Sequence, residues 1–235
     1  VFTAGAPGAW DTRLLDGSIV FNPADSRYHL FYSATSDADS YSYGIGTATS
    51  TDGLSWTRSF DQPVITEGAN GTWDEERIDG IDVELVGNTY YLYYTATTLT
   101  PLFRRQIGCR TSFDGAAWAP CPGNPVLSPD PERYPFEGLE VEQPSVIHSA
   151  AGWLMAYSGY LGPQGEIALM GLAASGDGRS WTRIFSEPLE SAWSPDVFKV
   201  GPNIVLDEAS GQVWLWYGDT LTGQIMAAVA PLSVP

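Results

Sequence analysis

Ser50-Thr51-Asp52-Gly53-Leu54-Ser55-Trp56 recurs as Ser112-Phe113-Asp114-Gly115-Ala116-Ala117-Trp118 and again as Ser175-Gly176-Asp177-Gly178-Arg179-Ser180-Trp181. The period is about 62 residues, longer than the roughly 40–50 of common propeller repeats. Asp-Gly between β-formers is a hairpin signal, because the turn takes backbone angles that glycine adopts at low cost. Upstream of each turn runs a strand of small residues, at 44–49, 106–111 and 169–174, echoed at 225–230. Before that comes an aromatic strand, at 28–32, 90–94 and 153–157, with a fourth copy at 213–217. No segment carries a sustained apolar stripe at helical spacing, and Gly, Pro, Asn and Asp punctuate strand-length runs throughout. The class is all-β. Each repeat reads as four strands, the last following the Asp-Gly turn and carrying Trp, which describes the blades of a β-propeller. Residues 1–235 are read as one propeller domain of four visible repeats, with inner strands starting near residues 16, 79, 142 and 200.

A bulky aromatic residue is followed six positions later by an acid at the head of an apolar strand: Trp10 by Asp16, Trp73 by Asp79, Phe136 by Glu142. If the repeats close into a ring, the three acids converge at one mouth of its axis. In the fourth unit the matching position is Lys199 or Val200, and neither is an acid. Breaking a glycosidic bond needs a protonated acid at the leaving oxygen and an ionised carboxylate across the sugar, and a third carboxylate nearby keeps the acid protonated by like-charge repulsion. Asp16, Asp79 and Glu142 are therefore the candidate catalytic residues. The bland alternative is that they are strand-end acids capping turns.

Asp82, Glu84 and Glu140 flank that column, and two-residue steps along a strand share a face. Glu140 is a candidate substrate-binding residue or an alternative acid. Asp11, Asp74, Glu137 and Asp196 sit in the loops that lead into the blades, as sugar-hydroxyl ligands or, more plainly, as solvated loop acids. Trp56, Trp118 and Trp181 recur, so they are expected to pack between blades. Trp10 and Trp73 recur as well; packing is expected, with sugar stacking as the functional alternative. Arg77, Arg104 and Arg105 do not recur, so the blade does not demand them, and Arg77 is the candidate contact to substrate or to a catalytic carboxylate. His29 and His148 suit core or surface roles. No zinc spacing, phosphate-binding glycine loop or serine-nucleophile elbow is present, and no metal or cofactor is expected.

A chain of 235 residues with 43% hydrophobic and 13% aromatic content can bury a substantial core. The formal charge of −17 and the single lysine, Lys199, argue against nucleic acid and anionic membranes as partners. A neutral or cationic ligand fits better, and carbohydrate is the expected partner. Cys109 and Cys121 lie symmetrically about Gly115, so they are expected to face each other across two antiparallel strands. A cross-strand disulfide would place the protein in an exported, secreted or periplasmic setting; the alternative is two buried free thiols. The stretch from Val1 to Trp10 parallels the links that leave one blade for the next, while the last unit lacks a strand after residue 230. Residues 1–9 are therefore expected to supply that outer strand. Otherwise the ring is open, with an exposed apolar face and self-association.

The acid column, the aromatic strand ending in Tyr-Ser or Tyr-Thr, and the Ile-Gly-x-Ala-Thr-Ser-x-Asp-Gly-x-x-Trp hairpin together resemble the five-bladed propeller glycosidases of the arabinanase, β-xylosidase and invertase superfamily. Glycoside hydrolase families 43 and 32 are its best known members. The resemblance spans essentially the whole chain. It implies that Asp16 is base or nucleophile, that Asp79 orients substrate and tunes the acid, and that Glu142, in Glu142-Gln143-Pro144, is the general acid. The implied activity is hydrolysis of plant-type or fructan-type oligosaccharides. The sequence departs from that pattern twice: Gly17 and Gly80 stand where Pro commonly follows the aspartates, and four repeats are visible where the family has five. A non-catalytic glycan-binding propeller or blade fragment is the alternative. A phosphorolytic relative would need basic residues that eleven Lys plus Arg scarcely supply.

Overall fold

A computed structural model describes residues 1–36, 43–99, 102–161, 167–189, 199–219 and 223–231. The described residues are organised in sheets that are antiparallel apart from the parallel pairings of Glu140 with Arg105 and of Gly138 with Tyr160, joined by turns and one short 3-10 segment, Pro135–Glu137. The first repeat forms β1 (Arg13–Asn22), β2 (Arg27–Thr35), β3 (Tyr43–Ser50) and β4 (Thr57–Arg58), adjacent in that order, with β5 (Ile65–Thr66) returning along β3. The second forms β6 (Arg77–Val86), β7 (Thr89–Thr98), β8 (Arg104–Ser112) and β9 (Ala119–Pro120). The third forms β10 (Glu140–Ser149), β11 (Gly152–Leu161), β12 (Ile167–Ser175) and β13 (Thr182–Arg183). The fourth has three strands, β14 (Lys199–Asp207), β15 (Gln212–Asp219) and β16 (Gln224–Pro231). The all-β class and the four-strand repeat follow the sequence pattern.

The chain divides into two compact units: Val1–Phe103 with Gly108–Cys121, and Arg104–Ile107 with Pro122–Pro235. In the first unit, Phe31, Ile45, Ile78, Leu92 and Tyr94 are fully buried, and Trp118 closes edge-on against Phe31 at 5.6 Å. That is the inter-blade packing expected of this tryptophan. Trp56, by contrast, joins Leu30, Tyr32 and Ala48 on its own blade. In the second unit, Ile147, Leu154, Ala156 and Ile204 form a cluster backed by Leu215. An apolar cavity of about 370 Å³ opens beside it, lined by Leu172, Phe185 and Val229 among others. None of its lining groups titrates, so it offers no acid–base chemistry.

The small-residue strand is explained by what covers it. Trp10 stacks on Tyr32 at 5.7 Å, and Trp73 lies on Tyr94 at 5.8 Å. A Cβ on Gly46 would fall 2.5 Å from Tyr32 and 2.8 Å from Trp10, and one on Gly108 would fall 2.3 Å from Trp73. Only glycine admits that approach.

Residues 1–9 supply no outer strand, which corrects the sequence expectation. They form no strand and are bound to the first blade: Arg58 Nη2 donates to the Thr3 carbonyl at 2.6 Å, Gly5 N–H donates to the Asp11 carbonyl at 3.0 Å, and the Phe2 ring lies 4.7 Å from Tyr32. The physical reason is Phe2, whose ring is better buried against Tyr32 than as one residue of an edge strand.

Candidate active site

Asp11, Asp74 and Glu137 are neither sugar ligands nor solvated loop acids. They are 2%, 6% and 0% exposed. Each binds a tyrosine hydroxyl from its blade's aromatic strand and an arginine, which comes from the outer strand in the first and third blades and from the neighbouring strand β8 in the second. Tyr32 donates to Asp11 at 3.0 Å and Arg58 Nε donates to it at 2.7 Å. Tyr94 and Arg110 both reach Asp74 at 3.3 Å. Tyr157 donates to Glu137 at 2.7 Å, while Arg183 grips both carboxylate oxygens at 2.6 and 2.8 Å. Burial, and then the acid's charge, push the Tyr94 hydroxyl up to about 12 and those of Tyr32 and Tyr157 higher still. A buried carboxylate that gains one guanidinium and one hydroxyl is paired and hydrogen-bonded, as burial requires. Asp196 lies outside the described residues.

With those acids assigned to the frame, the inner strands carry the remaining candidates, and each strand is broken by a bulge. The irregularities fall between Leu14 and Gly17, Asp79 and Asp82, Glu142 and Ser145, and Val200 and Asn203. Asp79 pairs opposite Thr95, and Glu142 pairs opposite Ser158, so these two occupy one register position. Asp16 does not share it. It sits inside the bulge of β1, one step further along, because the run from Trp10 to Ser18 is one residue shorter than those from Trp73 to Asp82 and from Phe136 to Ser145.

The role of that bulge position is visible in both units. Asp16 accepts the Gly80 and Ile81 N–H groups, each at 3.1 Å, and Ser18 Oγ accepts the Val83 N–H at 3.1 Å. In the second unit, Gln143 Oε1 accepts the Gly201 N–H at 3.0 Å and Ser145 Oγ accepts the Ile204 N–H at 3.0 Å. Each pair stitches one inner strand to the next. Asp16 differs from Gln143 in bringing a charge to the stitch, with its carboxylate exposed. Gly80, Gln143 and Gly201 have φ of 55°, 54° and 63°. Gln143, beside Glu142, thus holds a left-handed conformation that glycine takes at the other two positions.

Both register-matched acids carry an arginine. Arg77 forms an ion pair with Asp79 while its guanidinium lies 4.8 Å over the Tyr43 ring. Arg105 Nη1 donates to both oxygens of Glu142, at 3.0 and 2.7 Å, and its Nε lies 3.6 Å from Glu140. Glu142 is 5% exposed. Burial raises the Glu140 carboxyl above its ordinary value, against the opposing pull of Arg105. In the first unit, Asp82 accepts the Ser18 hydroxyl at 2.8 Å, and burial, then the Asp82 charge, push Glu84 up to about 8. Sequence reasoning singled out Arg77 but passed over Arg105. The signal for Arg105 was the same: an arginine that does not recur from blade to blade.

The fold so described is one found among the propeller glycoside hydrolases of families 43 and 32. A thermostable family-43 glycoside hydrolase superposes with a TM-score of 0.69 at 15% identity, over 98% of this chain and 71% of that one. Fructan 1-exohydrolase IIa from Cichorium intybus gives 0.70 at 17% identity, over 98% of this chain and 44% of its own. The family-32 β-fructofuranosidase of Bombyx mori gives 0.67 at 18%, over 92% and 47%. At such identities the likeness is one of fold. No family model matches this chain, and no curated protein sequence does.

Proposed function

We propose that this protein is a glycoside hydrolase whose acids are Asp16, Asp79 and Glu142, acting on oligo- or polysaccharide. The observation that carries the proposal is that the two register-matched acids, Asp79 and Glu142, stand at inner-strand bulges under arginines that the blade repeat does not require. Bulges re-aim side chains and concentrate near active sites. Glu142 is the proton donor to the leaving oxygen. Asp16 has an exposed carboxylate fixed by two backbone N–H groups, which suits a base or nucleophile. Asp79, steadied by Arg77, orients the sugar. The shared fold supports carbohydrate as the partner. The Cys109–Cys121 disulfide, with Cα atoms 5.3 Å apart, supports an exported location; no described helix is long and apolar enough to cross a membrane.

One observation favours the glycan-binding alternative: both Asp16 oxygens are already engaged by backbone. Hydrolysis of aryl glycosides and of arabino-, xylo- and fructo-oligosaccharides, followed by reducing-sugar release, separates the two. Turnover that falls about 10²–10⁴-fold in Glu142→Gln, with circular dichroism unchanged, is the expected result. Saturable sugar binding without turnover would overturn it.

A further inference from the structure

We propose that Gln143 is a positioning residue, which holds the bulge of β10 in the form that keeps the Glu142 carboxyl under Arg105. The inference rests on the glycosidase reading, in which Glu142 donates the proton, and adds one residue to that site.

Gln143 stands where the fold itself uses glycine. The bulge of β10 reads Glu142-Gln143-Pro144 and that of β14 reads Val200-Gly201-Pro202, with φ of 54° and 63° at the central residues. In β6 the same place is taken by Gly80, at 55°. A side chain at positive φ is crowded against its own backbone, and a following proline pushes its predecessor toward extended backbone. Gly201, which also precedes a proline, shows that the bulge forms with no side chain there. The shape of the bulge therefore does not call for glutamine. Among the described residues the other non-glycine at positive φ is Ser26, in the β1–β2 turn.

What glutamine adds is its amide. Gln143 Oε1 accepts the Ser158 hydroxyl at 3.1 Å and the Gly201 N–H at 3.0 Å. Ser158 is fully buried and lies opposite Glu142 in the β10–β11 register. The residue next to the acid is thus tied to β11 at the acid's own level and to β14 on the other side. Gln143 and Pro144 fall in the register shift between Glu142 and Ser145, where the regular ladder is interrupted. Side-chain bonds set the backbone there. Glu142 in turn takes two bonds from Arg105 Nη1, at 3.0 and 2.7 Å, and these require the carboxyl to leave the bulge in one direction.

Strained residues persist where their surroundings over-determine them, and they gather at active sites. A proton donor must also be held closely, because a misplacement of about 1 Å can cost about 10²-fold in rate. Gln143 accepts backbone strain at one end and fixes the bulge at the other, so its gain lies in the placement of Glu142.

The test compares Gln143→Gly with Gln143→Glu in the whole protein. Each is followed by urea denaturation, by steady-state kinetics and by NMR of glutamate labelled with carbon-13 at Cδ. The Glu142 resonance is assigned by its loss in Glu142→Gln. Gln143→Gly permits the backbone form and removes the amide. Its kcat should fall about 10–100-fold with KM little changed, its urea midpoint should stay near that of the wild type, and the Glu142 resonance should shift or split. Gln143→Glu keeps acceptor oxygens, as Asp16 does in the first unit, and should restore most of kcat and the resonance. Ser158→Ala, which cuts one tie and leaves the bulge backbone alone, should move the same resonance. If Gln143→Gly leaves kcat and the Glu142 resonance unchanged, the positioning role is disproved. A glycine variant that unfolds would overturn it as well, since the amide would then serve stability. If the wild type hydrolyses no glycoside while the Glu142 resonance moves in Gln143→Gly and returns in Gln143→Glu, the hydrolase reading fails and the positioning of Glu142 by Gln143 stands.

Discussion

The three buried ion pairs show how a repeat preserves an interaction while moving the residues that make it. Arg58 pairs across the sheet with Ala48, and Arg183 pairs with Ala173. In the second blade the outer-strand position is Pro120, and its cross-strand partner is Arg110. The guanidinium has crossed from one strand to its neighbour and still reaches the acid and the tyrosine. Removing one partner leaves a charge buried and unpaired, so Glu137→Ala should cost about 3–5 kcal/mol in urea denaturation. Arg183→Ala in the Glu137→Ala background should cost much less than it does alone. Asp177 gives a pH-dependent counterpart at the surface. Bonds from the Ser180 and Arg179 N–H groups lower its carboxyl from 3.8 to about 2. A folded-state value below the unfolded one stabilises above the unfolded value and is lost as pH falls through the folded one. The stability difference between wild type and Asp177→Asn should therefore be full above about pH 4 and vanish by about pH 2.

Among the elements, the turns were the most legible and the bulges the least. All three Ser-x-Asp-Gly turns form the same bonds: the serine hydroxyl donates to the aspartate, which accepts two backbone N–H groups beyond it. Residue type and spacing alone prescribe that geometry. A bulge depends on how two strands are offset, and offset is a property of a pairing. The Trp-to-acid spacing therefore placed Asp16 with Asp79 and Glu142, whereas the pairing sets it one step away. Gly80→Ala forces a side chain into the left-handed region and should destabilise by about 1–2 kcal/mol in thermal or urea unfolding. The hairpin containing Gly115 also carries the disulfide, with Cys121 N–H donating to the Cys109 carbonyl at 2.9 Å. Reducing it should cost about 2–4 kcal/mol, read as a lower Tm with reductant. Two free thiols titrating in the native, unreduced protein would contradict that bond.

For the molecule as a whole, charge dominates. Twenty-eight acidic residues against eleven basic ones leave −17, and the buried pairs take up several of the arginines. The remaining acids repel, so raising salt from about 0.01 M to about 0.15 M, which shortens the screening length from about 30 to about 8 Å, should raise Tm. A fall would mean that the ion pairs outweigh the repulsion.

The all-β class, the four-strand unit and the Asp-Gly turns were determined by sequence alone, because each rests on chemistry within a few residues: β-formers, a glycine where φ is positive, an aspartate facing its own backbone. The glycine of the small-residue strand was legible as a pattern, though its cause, an aromatic ring from another segment, was not. Only the tertiary structure decided that Asp11, Asp74 and Glu137 are buried ion pairs, that residues 1–9 stay on the first blade, and that Arg105 stands over Glu140 and Glu142. Those outcomes depend on partners roughly 20–50 residues apart in the chain, whose meeting costs loop-closure entropy and is settled by which burial repays it.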